Sequence, residues 1–344
     1  MHISDFDYEL PEDLIAQQPL ERRDASRMLV IDRPQKNWTD SQFSSLVEYL
    51  GPSDLVVVNN TRVIPARLIG QRSETGGRVE IFLVNEVEPR LWNALIRPGN
   101  RLRSGSIVTF GSDQITAEVL DEPGEELRQV RFYCEGPFAS ALAAVGFTPL
   151  PPYIKRTQGE ADQDRKRYQT IYSKQPGAIA APTAGLHFTP RMIESVRNRA
   201  RLTEITLHVG YGTFAPVRVE DVSEHSVSTE RFEIPESAAH LINETRQAGG
   251  RIVAVGTTTM RALESASNER GEVAAGEQLA NLTIIPGYQF RVTQALLTNF
   301  HLPRSSLLLL VSAFATRELT LAAYRHAVSK RYRFYSYGDC MLIL

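Results

Sequence analysis

Arg251-Ile-Val-Ala-Val-Gly-Thr-Thr-Thr-Met-Arg-Ala-Leu-Glu264 decides the fold. Its β-branched run reads as a buried strand, Gly256 and the threonines as a turn, and the residues after them as a helix. A strand that passes through a tight turn into a helix is the building unit of an α/β domain. Free backbone N–H groups and threonine hydroxyls at a helix start also suit a phosphate, a carboxylate or a ribose. An ordinary strand-to-helix turn with a threonine N-cap accounts for the same residues equally well. Arg261, just inside the helix, favours a polar ligand such as a carboxylate.

The same alternation continues outward. Residues 54–60 (Asp-Leu-Val-Val-Val-Asn-Asn) form a second buried strand. Helices are expected over 11–18, 138–145, 190–199, 235–247 and 318–331, the fourth ended by Gly249-Gly250. Residues 290–296 and 306–311 are expected as further strands. Between Arg67 and Cys134 the rhythm changes to short strands at 78–84, 91–96, 106–110, 115–120 and 127–133. Gly76-Gly77, Pro98-Gly99, Gly111 and Pro123-Gly124 separate them, which predicts a small antiparallel barrel or sandwich. The expected architecture is therefore α/β with an inserted all-β module. Residues 1–66 and 135–344 make a discontinuous α/β domain, and residues 67–134 a small antiparallel β-barrel domain.

A chain of 344 residues is long enough for two domains. Cys134 and Cys340 are its only cysteines, which excludes a cysteine-based zinc site and fits a reducing cytosol. The first residues lack the apolar core of a signal peptide, and the apolar run around Leu307–Val311 is too short to span a membrane. A cytoplasmic protein with no membrane partner is expected. The formal charge of −2 carries no global nucleic-acid signal. Basic residues do cluster locally, at Arg22, Arg23 and Arg27, at Lys155, Arg156, Arg165, Lys166 and Arg167, and at Lys330, Arg331 and Arg333. The last group alternates with Tyr332, Phe334, Tyr335 and Tyr337, as surfaces that bind single-stranded bases do. For any one cluster a solvated surface explains the charge more simply.

Two segments carry candidate chemistry. Pro176-Gly-Ala-Ile-Ala-Ala-Pro-Thr-Ala-Gly-Leu-His-Phe-Thr189 is small-residue-rich and broken by prolines, so it is a shaped loop or a strand end. Thr206-Leu-His-Val-Gly-Tyr-Gly-Thr-Phe214 again takes an apolar strand into a histidine and two glycines. Together they predict the floor of a pocket, with His187 and His208 as bases of near-neutral pKa. His301, in Asn299-Phe-His-Leu-Pro303, reads more simply as a core histidine. Walker A, GxGxxG and HExxH patterns are absent. No metal site is expected.

These segments together resemble the S-adenosylmethionine:tRNA ribosyltransferase-isomerases of queuosine biosynthesis. The resemblance runs in order along nearly the whole chain: Asp5–Pro11, Leu14–Pro19, Arg22–Arg27, Val58–Arg67, Leu150–Lys155, Ala180–Phe188, His208–Phe214, Gly256–Arg261, Thr298–Pro303 and Tyr332–Asp339. It implies an α/β domain carrying an inserted barrel. It also implies transfer and isomerisation of the ribosyl part of S-adenosylmethionine onto the aminomethyl group of 7-aminomethyl-7-deazaguanine. That base occupies the wobble position of the tRNA anticodon loop, and adenine and methionine are released. S-adenosylmethionine would be consumed as a cosubstrate, with no further cofactor. A monomer is expected.

In many relatives the stretch from His225 reads His-x-Met-His-x-Glu; here it is His225-Ser-Val-Ser-Thr-Glu230, with Ser228 where a second histidine often stands. The resemblance thus makes His187, His208, His225 and Glu230 the catalytic candidates. Thr183, Gly185, Tyr211, Gly212, Thr213, Phe214, Gly256, Thr257, Thr258, Arg261, Asn299 and His301 are the substrate-binding candidates. Lys155, Arg156, Arg165, Lys166, Arg167, Arg331 and Arg333 are the candidates for tRNA contact. A non-catalytic RNA-binding protein and an RNA methyltransferase are the competing readings.

Overall fold

The computed structural model describes residues 1–111, 115–124, 126–156, 163–214 and 217–344. Its larger layer is a mixed nine-stranded sheet. The centre of that sheet holds four parallel strands side by side: Arg201–Leu207, Leu55–Asn59, Ile252–Val255 and Ala295–Asn299. Cys340–Ile343 then runs antiparallel to the last of them and parallel to Arg27–Asp32. Antiparallel strands finish both edges, with Glu230–Ile234 and Gly276–Ala280 on one side and Asn37–Gln42 on the other.

The central strands are apolar runs because both of their faces are covered. Leu55 and Val57 join one hydrophobic core while Val56 and Val58 join the other. The same alternation separates Ile252 and Ala254 from Val253 and Val255. Helices Glu236–Gln247, Ser306–Ala315 and Arg317–Ser329 build the first core, and Pro190–Arg199 covers the second.

The chain leaves this layer after Ala66 and forms six antiparallel strands, from Arg67–Arg72 to Arg128–Cys134. Pairing of Gln71 with Thr109 and Arg72 with Val108 closes them into a barrel with its own core. Gly70 permits that closure. A Cβ there would lie 2.4 Å from the Thr109 carbonyl oxygen and 2.6 Å from the Phe110 ring. Helix Phe138–Val145 packs against the barrel, through Leu142 and through Phe138 on Phe132 at 5.3 Å. Tyr211 meets Phe82 edge-on at 5.8 Å, where the sheet layer touches the barrel.

Several local expectations are corrected. Residues 306–311 belong to the helix Ser306–Ala315, capped by the Ser305 hydroxyl accepting from the Leu308 N–H at 3.2 Å. A wholly buried apolar run has no period by which helix and strand can be told apart. Residues 290–294 precede the strand, which spans Ala295–Asn299. The expected helix at 11–18 is only a 3-10 turn, Glu12–Leu14. The aromatics of the basic-aromatic tail are not a stacking surface: Tyr332, Phe334, Tyr335 and Tyr337 are all buried in the first core. Among the described residues, no single helix is long and apolar enough to cross a membrane.

Gly70→Ala should destabilise the protein by about 1–3 kcal/mol through overpacking at the barrel closure. Urea denaturation followed by tryptophan fluorescence checks this, since Trp92 lies in the barrel core. An unchanged midpoint would mean that the closure does not constrain the barrel.

Candidate active site

Ligands of α/β sheets bind beyond the carboxyl ends of the parallel strands. Here those ends deliver Val209, Gly256 and Asn299 to one cavity of about 340 Å³. Gly256, at φ +94°, turns the chain sharply from strand into the helix Thr257–Ser265. Thr183 and Ala184 form a wall of small residues, and Tyr153, Phe300 and Tyr335 form an aromatic wall. The Tyr153 and Tyr335 ring centroids lie 4.0 Å apart, and the Tyr153 hydroxyl is 2.6 Å from the Ser336 hydroxyl. Tyr335 sits at φ +72°, and among the described residues its buried hydroxyl has no hydrogen-bond partner. The buried Thr258 hydroxyl has none either. Unpartnered hydroxyls beside a cavity are groups that a ligand satisfies.

A second, smaller hollow shares Thr257, Thr258 and Leu307 with the first. Its floor is an ion pair between Glu230 and Arg261, 3.1 Å apart and largely buried. Glu230 also accepts the Gly210 N–H at 2.7 Å. Arg261 donates to the carbonyls of Ser228 and Ala280, both at 2.6 Å. Its guanidinium therefore braces the hollow, with its Nε unpartnered among the described residues. His225 lines the same hollow, with Nε2 2.7 Å from the Ser306 hydroxyl. Burial lowers its pKa, so the ring is neutral near pH 7. Gly212 packs on Ser228: a Cβ at Gly212 would lie 2.6 Å from the Ser228 hydroxyl.

His187 and His208 do not line either hollow. The Asn299 amide group donates to the Tyr335 carbonyl at 2.8 Å, which turns its oxygen toward His187 Nε2 at 3.3 Å. The network therefore places the His187 proton on Nε2, and Nδ1 accepts from the Ser26 hydroxyl at 2.7 Å. Burial, aided by the charges of Arg333 and Arg23, lowers the His187 pKa to about 4. Both ring nitrogens are thus engaged, and the expectation of a base facing the substrate is corrected. His208 lies behind the pocket, with Nδ1 2.8 Å from the Thr61 hydroxyl and its ring against Gly177. Burial and Arg231 lower its pKa.

Of the other expected binding residues, Thr183, Gly256, Thr257, Thr258, Asn299 and His301 come together at the cavity. His301 holds Nε2 2.9 Å from the Thr298 hydroxyl, and burial lowers its pKa to about 3. Gly185 instead makes room for Tyr172 behind the wall, and Tyr211 faces the barrel. Thr213 and Phe214 belong to a 3-10 turn, but their side chains lie outside the described residues. The sequence reading missed Tyr153, Phe300, Tyr335 and Ser336. The signal was available, since Leu150–Lys155 and Tyr332–Asp339 were singled out as segments. Among the described residues, no group of three His, Cys, Asp or Glu side chains could hold a metal ion.

The expected tRNA contacts divide: Arg156 and Arg333 serve the fold, whereas Lys155, Arg165 and Arg331 are exposed with partners at the surface. Arg156 and Asp164 make two hydrogen bonds of 2.8 Å, and both side chains are nearly buried. Arg331 pairs with Asp13 at 2.5 Å and Lys155 with Glu12 at 2.6 Å. Arg165 binds the carbonyls of Ala143 and Gly146, and Arg333 that of Gln18. Lys166 is exposed.

A mixed α/β sheet that gathers small residues, hydroxyls and a buried ion pair around two adjoining hollows at the carboxyl ends of its strands has the form of an enzyme active site. The model of the queuosine biosynthesis protein family matches residues 3–343. The chain is 48% identical to the S-adenosylmethionine:tRNA ribosyltransferase-isomerase of Pelotomaculum thermopropionicum, with 100% of both chains covered. It is 46% identical to that of Desulforamulus reducens, again over 100% of both. A solved structure of S-adenosylmethionine tRNA ribosyltransferase from Thermotoga maritima is 36% identical, with a TM-score of 0.55, covering 99% of this chain and 100% of that one. The chain belongs to the queuosine biosynthesis protein family, as the resemblance of its segments implied.

His187 gives a pH test. Its folded pKa of about 4 lies below the ordinary 6.5, so the unfolded chain binds a proton that the folded chain refuses. Stability should therefore fall as pH drops from 6.5 toward 4, by at most on the order of 3 kcal/mol from this residue. The unfolding midpoint in urea should show that slope, and His187→Gln should flatten it. An equal slope in both proteins would count against a buried neutral His187.

Proposed function

We propose that this enzyme transfers and isomerises the ribosyl moiety of S-adenosylmethionine onto the aminomethyl group of 7-aminomethyl-7-deazaguanine at the tRNA wobble position, releasing adenine and methionine. The observation that carries this reading is the joined pair of hollows at the carboxyl edge of the sheet. One is large enough for a nucleoside cosubstrate. The other brings a histidine and a buried carboxylate to the shared wall at Thr257 and Thr258.

On this reading the N–H groups and hydroxyls of Thr257 and Thr258 receive the methionine carboxylate. The aromatic wall of Tyr153, Phe300 and Tyr335 receives a flat base. The sulfonium acidifies the carbon next to it, and a neutral base must remove that proton. His225 fits this role better than His187 or His208, because it lines the hollow and is kept neutral there. Glu230 holds Arg261 and the Gly210 N–H and so keeps the hollow in shape. S-adenosylmethionine is consumed, and no other cofactor enters. Described residues of a single chain line both hollows, which fits a monomer, and the two free cysteines support a cytoplasmic setting.

Incubation with S-adenosylmethionine and tRNA carrying 7-aminomethyl-7-deazaguanine should yield free adenine and an epoxy-cyclopentanediol adduct on the base. S-adenosylhomocysteine as product would instead make the enzyme a methyltransferase. His225→Ala should slow adenine release at least about tenfold, within the range of general base catalysis. The wild-type rate should fall with acid along a limb centred below pH 6.5, because the His225 pKa is lowered. Full activity in His225→Ala would remove it as the base.

A further inference from the structure

Two neighbouring arginines face the same cleft. Arg23 donates to the carbonyls of Gln169 at 2.7 Å, Lys166 at 3.0 Å and Leu186 at 3.4 Å. Arg167 donates to the carbonyls of Leu20 and of Glu21, the latter at 3.1 Å, and its buried Nε has no partner among the described residues. Among the described residues neither pairs with a carboxylate, although both are half-buried. Burial and the neighbouring Arg167 charge lower the Arg23 pKa, so the two cations strain against each other. Cations held by carbonyls alone keep their attraction for an outside anion.

Both arginines wall an open cleft of about 680 Å³, whose rim carries the exposed Arg22 and Arg191. The acids of the cleft are Glu21 and Asp24. Asp24 is occupied, by Arg22 at 3.3 Å and by the Thr189 hydroxyl at 3.2 Å. Arg23 and Arg167 also border a narrow crevice that contains Ser336. Ser336 in turn lines the substrate cavity. The cationic cleft and the cavity are thus neighbours, separated by the Ser336 segment.

We infer that the cleft formed by Arg22, Arg23, Arg167 and Arg191 holds backbone phosphates of the RNA substrate, beside the cavity that receives the base. The inference rests on the proposed tRNA substrate. A splayed loop lays its phosphates along such a strip while its base turns inward. The four arginines come from three separate stretches of sequence, and the cleft exists only in the fold.

The test is the double variant Arg22→Ala/Arg191→Ala, two exposed side chains outside the substrate cavity. Fluorescence polarisation with labelled substrate tRNA, measured over a salt series, gives affinity and salt slope. The variant should bind tRNA about tenfold more weakly with a slope shallower by about 1–2, as for the loss of one or two phosphate contacts. Its S-adenosylmethionine binding, read by thermal shift, should match the wild type. Equal affinity and slope in a wild type and variant that both bind tRNA would overturn the inference. So would protection of the wild type alone by inorganic phosphate with no change in tRNA affinity, since the cleft would then be a free-anion site. A wild type that failed to bind tRNA would overturn the proposed substrate itself, a separate outcome.

Discussion

The carboxamide of Asn59 holds the carboxyl edge of the sheet together. Its oxygen accepts the N–H groups of Thr61 at 3.1 Å and Leu207 at 3.0 Å, and its amide donates to the Leu207 carbonyl at 2.9 Å. The side chain thus replaces a peptide group at the point where two parallel strands part. Without it, three backbone groups in a fully buried place would lack partners, at roughly 1–3 kcal/mol each. Because the parting is satisfied, residues 208–210 can swing toward the cavity while Thr61–Val63 starts a second ladder with Gln175–Ala178. That ladder positions Ala180–Ala184, the small-residue wall. The cavity is therefore a consequence of how the sheet ends.

Much of this was legible in the sequence. The run Leu55–Asn59 and the segment Ile252–Ser265 announced an α/β domain, since only strands covered on both faces read as unbroken β-branched runs. The turn-rich stretch from Arg67 to Cys134 announced a barrel. Ser306–Ala315 could not be read correctly, because its helix is buried on nearly every side and carries no polar stripe. The cavity was legible in part. Gly256 and Thr257 stand where a β-branched run meets a glycine, which the sequence shows, whereas Asn299 ends a strand that starts later than the sequence suggests. Tyr335 was not legible as a cavity residue. Its place depends on a left-handed backbone and on the Asn299 amide that grips its carbonyl, two tertiary facts.

Cations misled for a related reason. Sequence records that Arg156 and Arg333 are charged, but not where their charge is spent. Arg156 lies against Asp164 in a nearly dry pair, and Arg333 spans to the Gln18 carbonyl. Such arginines fasten loops to the sheet layer. Arg23 and Arg167 also found carbonyls, but they share one open cleft, and no spacing rule identifies that. Solvated acids can be paired by inspection of a sequence; a carbonyl partner cannot.

The histidines make the same point about chemistry. A base must reach its proton and must be free to take it. His187 is neutral, but Ser26 and Asn299 hold both of its nitrogens, so it has no lone pair to offer. It works instead as a strut between the Ser26 turn and the Asn299 strand end, which keeps Tyr335 against the cavity through the Asn299 amide. His225 is tethered through one nitrogen only among its described hydrogen bonds, and it lines the smaller hollow. Its tether, Ser306, begins the helix that the sequence reading took for a strand. Reading residues 306–311 as a strand therefore hides the support that His225 receives at the hollow.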